Sequence, residues 1–332
     1  MRISYKEVSD IVKNVLRKWG FPEPDVEVIF KNMWDAELSG KKSHSFTNLF
    51  WYKDVIDGKY GPLNIAGNNP EIGKETKVSL VIDGQEKTGY VVMDYALNLS
   101  LKKAKEIGLV TTTLTRTAPT IGFIGSYVKK ATDNGYIFLC FSNAGKSTAP
   151  YGTTKKIFGT NPIAIGVPTN TTPIILDMAT AATTYANLLR SKALGKQISE
   201  NVGLDAKGEL TNNPDAILSG GCLIPFGGYK GSGISLMVEI LAGALTGAKT
   251  GLNNVSYWGT TFMLLDPSLF GEANEFYERV NVLRDEIKSA SKRPGFEEIY
   301  LPGEKSLNKF KESSGNDEIE IDDNFMDRVK AL

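Results

Sequence analysis

One histidine, His44, and two cysteines, Cys140 and Cys222, are all that 332 residues offer of the two side chains most used to bind transition metals. Neither an H-E-x-x-H helix nor a clustered Cys/His spacing can be built from them, so a zinc-type centre has no ligand set. The cysteines lie in apolar contexts, "IFLCFS" and "GCLIPF". They read as buried free thiols rather than a disulfide or redox pair. A Ser-His-Asp hydrolase would need His44 as its base and a G-x-S-x-G turn, and that turn is missing. An excess of one charge is missing too: Lys+Arg and Asp+Glu are 38 each. Broad attraction to nucleic acid or anionic membrane is therefore not expected. No run of about 18 apolar residues occurs, and "MRISYKEVSDIVKN" lacks the apolar centre of a signal peptide. The expectation is a cytoplasmic protein.

What remains is ordinary globular composition, 41% hydrophobic and 23% charged, in a chain long enough for several substructures. The first 60 residues have helical spacing. Val8, Ile11, Val12, Val15, Leu16 and Trp19 fall on one face, and Gly20 with "FPEPD" ends that helix. Asp25 is placed to cap the next helix, which carries Val26, Ile29, Phe30 and Met33. A third begins near Ser45, so His44 stands where a loop becomes a helix.

Further along, "VSLVID" (78–83), "VTTTLT" (110–115) and "YIFLCFS" (136–142) are β-branched and aromatic runs that read as strands. Helices at 94–107 and about 123–133 separate them. This order invites a dinucleotide-binding βαβ unit, but the connection "DGQEKTGYVVMD" is not G-x-G-x-x-G, and the standard Rossmann reading is rejected. Strands are expected near 163–167, 173–177 and 262–266, a charged amphipathic helix at 272–290, and a solvated acidic segment at 312–323. "GKST" at 145–148 lacks the first glycine of a Walker A loop and is read as chance.

The stretch "GGYKGSGISLMVEILAGALTGAKTG" (227–251) has apolar residues on nearly every side of 234–245, which predicts a deeply buried helix. Its start is a glycine cluster around Lys230. Free backbone N–H groups, the helix dipole and one ammonium together form an anion site. Close packing at the helix start, with Lys230 in water, is the other reading.

Five segments in series resemble the type-2 malate/L-lactate dehydrogenase family: "SGKKSHSF…Y" (39–52), "FGTNPIAIGVP" (158–168), "ILDMAT" (175–180), "LIPFGGYKGSGISLMVEILAGALTGA" (223–248) and "LPGE" (301–304). The family includes sulfolactate and ureidoglycolate dehydrogenases, 2,3-diketogulonate reductase and cyclic imino-acid reductases. The resemblance implies an α+β chain with a non-Rossmann mixed β-sheet cofactor domain and a helical domain built from both chain ends. The expected division is 1–75 plus about 270–332 for the helical substrate domain and 76–180 plus about 223–268 for the cofactor domain, with 181–222 a loop-rich segment. It also implies a homodimer that reduces a small 2-oxo acid with NAD or NADP as cofactor. The acidic-residue test that separates the two nucleotides in Rossmann folds does not apply.

Carried over residue by residue, the resemblance makes His44 the proton donor, with Ser43 beside it and Tyr52 in the same pocket. Hydride transfer to a carbonyl leaves an alkoxide, and an imidazole of near-neutral pKa can protonate it or take the proton back. A histidine capping the third helix is the structural alternative. The family's carboxylate-clamping arginine is Asn48 here, and a second family histidine is Thr120, in "APTIGFIGSY". A bidentate guanidinium contact is thus lost; Arg116 and Lys146 are candidate replacements. Cofactor positions are Asp177, Met178, Ala179, Thr180, Tyr229, Lys230, Gly303 and Glu304. Asn143 and Asn161 are expected to line the substrate pocket, with turn-forming roles as the alternative. Reduction of a cyclic imine, which tolerates loss of an acid group, is the nearest rival function. A binding protein that has lost catalysis is the rival of another class.

Overall fold

A short strand, β1 (Arg2–Ser4), leads into α1 (Tyr5–Lys18) through a reciprocal cap: Ser4 Oγ accepts from the Glu7 N–H and Glu7 Oε2 accepts from the Ser4 N–H, both at 3.2 Å. In this computed structural model, which describes residues 2–193, 195–251, 257–321 and 323–332, α1 buries Val8, Val12, Val15 and Leu16. Helix α2 (Glu23–Leu38) follows after Gly20, whose φ of 91° ends α1. Asp25 does not cap α2. Pro22 and Pro24 fix the backbone for an earlier start, and the Asp25 carboxylate turns inward to an ion pair with Lys87. Helix α3 (Asn48–Ile56) begins later than the spacing predicts, because Lys42–His44 form a 3₁₀ turn first.

The central sheet is built from β2 (Glu71–Glu75), β3 (Ser79–Asp83), α4 (Gly89–Ile107), β4 (Leu109–Thr117), α5 (Ile124–Asp133), β5 (Ile137–Ser142), β6 (Ile163–Val167) and β7 (Ile174–Met178). Helix α4 starts several residues earlier than expected. Gly89 lets it do so, since a Cβ there would come within 2.8 Å of the Thr120 carbonyl oxygen and of Ile121. A smaller unit follows: α6 (Tyr185–Ala193), β8 (Gly203–Leu204), β9 (Leu210–Thr211), α7 (Pro214–Leu218) and β10 (Cys222–Leu223). Then come α8 (Tyr229–Val238), continued by a π-helical turn over Glu239–Ala244, and β11 (Trp258–Leu265). The chain ends with α9 (Ala273–Ser289), α10 (Glu304–Ser314), β12 (Glu318–Glu320) and α11 (Asp323–Lys330).

Among the described residues the sheet has seven strands in the order β2-β3-β4-β11-β5-β6-β7. Only β3 and β4 pair in parallel; every other neighbouring pair is antiparallel. The late strand β11 is central, between β4 and β5, so the local β-α-β-α-β order does not give a run of parallel neighbours. Helices α4 and α5 pack on this sheet through Val92, Met93, Leu97, Val128 and Ala131, which share one core with Phe138, Cys140 and Phe262. A second core joins the two chain ends: Val12, Ile29, Phe30 and Leu49 pack with Ile319, Met326 and Val329. The expected free cysteines are both buried.

Two expectations change. The 312–323 segment is not simply solvated: β12 pairs antiparallel with β1, and Ile319 lies buried opposite Ile3 (position 322 is outside the described residues). The α8 segment is not deeply buried on all sides. Val238 and Ala242 are enclosed, but Leu236, Met237, Ile240 and Leu245 are 44%, 49%, 44% and 60% exposed, because the sheet covers one face only. Helix α9 meets the β6–β7 connection, where Arg284 Nη1 donates to Thr171 Oγ1 at 2.6 Å. No described helix is long and apolar enough to cross a membrane.

Candidate active site

The loop Ser39–Thr47 is shaped by its own backbone. The Lys41 N–H donates to the Ala36 carbonyl at 2.8 Å and the His44 N–H to the Lys41 carbonyl at 2.9 Å. Glu37, buried at the end of α2, pairs with Lys42, and Ser45 Oγ donates to the Lys42 carbonyl at 3.0 Å. These bonds leave the side chains of Lys41, Ser43 and His44 facing a cleft of about 2870 Å³. That volume is well above the roughly 300–1,000 Å³ of a single small-molecule pocket. It has room for a dinucleotide and a small acid together.

The cleft brings together many of the positions singled out by sequence: Ser43, His44, Asn48, Thr120, Asn143, Lys146, Asp177, Met178 and Ala179 all line it. Among the described residues no protein group hydrogen-bonds the His44 ring or the Ser43 hydroxyl. Close packing around the ring depresses the His44 pKa from 6.5 to about 4, and the positive charge of Lys41 adds to the effect. The near-neutral imidazole expected from sequence is therefore corrected to one held well below neutrality. The Asp177 carboxyl goes the other way. Burial raises its pKa, against the charge of Lys41 and the Gly125 N–H, which donates to Oδ2 at 3.0 Å.

Other positions have structural work. Tyr52 is fully buried in the helical core, its ring stacked on Phe21 and edge-on to Tyr90, and does not reach the cleft. Asn48 does line the cleft, but its Nδ2 donates to the Tyr90 hydroxyl at 2.8 Å. Asn161 is buried outside it; its Nδ2 donates to Glu239 Oε2 at 2.8 Å and to the Ser235 carbonyl at 3.2 Å, tying the β5–β6 connection to α8. The Asn143 amide is also engaged: Oδ1 accepts from the Gly259 N–H at 2.8 Å and Nδ2 donates to the Lys249 carbonyl. Thr180 is buried with Oγ1 on the Asn161 carbonyl at 2.9 Å.

Tyr229 and Lys230 are exposed on the outer surface of the chain, away from the cleft. Gly303 borders a smaller pocket of about 270 Å³ that shares Lys41 and Asp177 with the cleft. Glu304 braces the turn before α10, accepting from the Leu301 N–H and from Lys288 Nζ at 2.8 Å each. Arg116 is outside the cleft and held by Asp83 at 3.1 Å.

Sequence reasoning missed Lys41, which stands in the quoted "SGKKSHSF" but has no distinguishing spacing. It also missed Trp51 and Trp258, whose rings meet at 6.1 Å on the cleft wall. Lys146, Lys249 and Arg190 line the cleft with no ion-pair partner among the described residues. Unpaired cations and flat apolar rings suit the pyrophosphate and the rings of a nicotinamide dinucleotide.

A profile of the malate/L-lactate dehydrogenase family matches residues 3–330. The chain is 34% identical over 342 residues to an L-sulfolactate dehydrogenase of Methanothermobacter thermautotrophicus, covering 100% of this chain and 96% of that one. It is 34% identical over 322 residues to a malate dehydrogenase of Pyrococcus horikoshii, covering 92% and 88%. The solved sulfolactate dehydrogenase of Methanocaldococcus jannaschii superposes with a TM-score of 0.87 at 32% identity, over 100% of this chain and 96% of that one. With a match along almost its whole length and the Ser-His pair on a dinucleotide-sized cleft, the chain belongs to the malate/L-lactate dehydrogenase family and is an NAD(P)-dependent dehydrogenase.

Proposed function

We propose that this enzyme interconverts a small 2-oxo acid and its 2-hydroxy acid, with His44 moving the proton at the substrate oxygen. The observation that carries the reading is the position of the chain's one imidazole: without a hydrogen-bond partner among the described residues, beside Ser43, in the cleft that Asp177 and Thr120 also line. A nicotinamide held in the cleft would supply hydride chemistry at the carbonyl carbon, in either direction. His44 gives its proton to the developing alkoxide in reduction and accepts it in oxidation. The Ser43 and Thr120 hydroxyls can donate to the same oxygen.

The residues that would hold the nucleotide in this reading are Met178 and Ala179, which offer apolar surface to a ring, and Lys146, Lys249 and Arg190, which offer positive charge to a phosphate. The predominantly antiparallel pairing supports a non-Rossmann mode of binding, in which a Gly-rich phosphate turn is not required. The exposed Leu236, Met237, Ile240 and Leu245 form an apolar stripe of the kind that marks a protein interface, and supports a homodimer joined through α8.

Reduction of a cyclic imine fits the sulfolactate and malate dehydrogenases among the relatives less well. The deciding experiment is NADH and NADPH oxidation with a panel of 2-oxo acids, some carrying a second acid group, alongside cyclic imino acids. Turnover of a 2-oxo acid well above that of any imine is the expected result. Turnover of imines alone would replace this reading, and no nucleotide binding by calorimetry would end it.

A further inference from the structure

We infer that Lys41 is the cation that takes the substrate's carboxylate beside His44. The inference rests on the oxidoreductase reading above and assigns its acid-recognition group. A 2-oxo acid brings a carboxylate one bond from the reacting carbon. A positive group is therefore needed within one side chain's length of the proton donor. The position from which an arginine would serve is Asn48, an uncharged amide already bonded to the Tyr90 hydroxyl at 2.8 Å. Arg116 is outside the cleft and committed to Asp83. Lys42 is on the right loop but is neutralised by the buried Glu37.

Lys41 has what these lack. It lines both the cleft and the adjoining smaller pocket, and its carbonyl accepts the His44 N–H, so the two residues bracket one tight turn. Among the described residues it has no ion-pair partner. Its charge is felt by both titratable groups of the site, lowering the pKa of His44 and holding down that of Asp177. An ammonium left unpaired in a partly closed cleft is a standing electrostatic cost unless an anion arrives. A bound carboxylate would neutralise it and, by the same field, favour the protonated imidazole that reduction needs.

The test uses oxamate, an unreactive 2-oxo-acid analogue, bound to the full-length enzyme in saturating NADH or NADPH and followed by calorimetry. Lys41→Met, which keeps the aliphatic stem, should weaken oxamate binding about 10- to 100-fold, the scale for losing a charged hydrogen bond. Lys41→Arg should stay within a few-fold of wild type. In turnover, Lys41→Met should raise KM for the acid by a similar factor with a much smaller change in kcat. Oxamate binding equally well to Lys41→Met and wild type overturns the inference, as does a loss seen only in Lys146→Met. Absence of oxamate binding to wild type overturns it as well. If oxamate binding depends on Lys41 but wild type reduces no 2-oxo acid, the oxidoreductase reading fails and the assignment of Lys41 stands.

Discussion

Lys87 Nζ donates to Asp25 Oδ2 at 2.6 Å with both side chains buried, and the same ammonium reaches the Ile65 carbonyl at 3.2 Å. This pair ties α2, which ends at the Ser-His loop, to the segment that starts α4. It thereby couples the helical core to the sheet that forms the opposite wall of the cleft.

Breaking that pair from one side strands a buried charge. Lys87→Met should destabilise the protein by about 3–5 kcal/mol, the usual cost of removing one partner of a buried pair. The double variant Asp25→Leu/Lys87→Met should cost less than Lys87→Met alone, because no charge is then left uncompensated. Urea unfolding of the three proteins reads both numbers. A single variant within about 1 kcal/mol of wild type would show that water reaches the Asp25 carboxylate.

The His44 pKa of about 4 fixes the sign of the pH dependence. In the free enzyme burial and the charge of Lys41 keep the imidazole predominantly neutral at pH 7. Oxidation of the hydroxy acid needs the neutral form, so its kcat/KM should be level near neutrality and fall below about pH 4. Reduction needs the proton, so its kcat/KM should decline as pH rises above that value. His44→Ala should lower both rates by roughly 10²–10⁴ and abolish the ionisation, with nucleotide affinity unchanged. A folded His44→Ala enzyme working at the wild-type rate would remove the histidine from the mechanism.

The exposed stripe on α8 makes a claim about assembly. Leu236, Met237 and Ile240 follow helical spacing on the face that the sheet leaves open. Light scattering at micromolar concentration should give twice the chain mass, and Met237→Glu/Ile240→Glu should give a monomer that keeps its secondary structure. A monomeric wild type would mean that this stripe is covered by something other than a second copy.

The same stripe shows how far the sequence could be read. Apolar residues on nearly every side of 234–245 are compatible with a helix enclosed by its own chain or by a partner, since periodicity reports a dry face and not whose surface dries it. Six of the seven central strands were legible from apolar and β-branched runs; the charged, exposed β2 was not, and neither was the placement of β11 between β4 and β5, because pairing partners are set by long-range packing. At the site, motif matching reached His44, Ser43, Thr120 and Asp177, all of which line the cleft. It also reached Tyr52 and Asn161, which are buried away from it. Tyrosine and asparagine serve equally well as pocket groups and as internal braces, and sequence spacing does not separate the two uses. Lys41 was invisible for a related reason. One lysine among 38 basic residues gains meaning only when the structure shows which lysines have acidic partners and which do not.

Nucleotide binding separates two seats for the phosphates. The glycine-rich start of α8 presents free N–H groups and Lys230, as a phosphate seat should, yet Lys230 is exposed and lies off the cleft of its own chain. Lys146 is on the cleft wall, just past the end of β5, and has no ion-pair partner among the described residues. Lys146→Ala should therefore weaken NADH or NADPH binding by about 1–3 kcal/mol, and Lys230→Ala by less than about 0.5 kcal/mol. Calorimetry on the two variants, at the ionic strength used for wild type, measures the contrast directly. Added salt should erode the Lys146 contribution, since its attraction for a phosphate is partly screened. The reverse ranking, with the larger loss at Lys230, would move the phosphates to the α8 start and require the nucleotide to extend beyond the cleft toward the exposed stripe of α8.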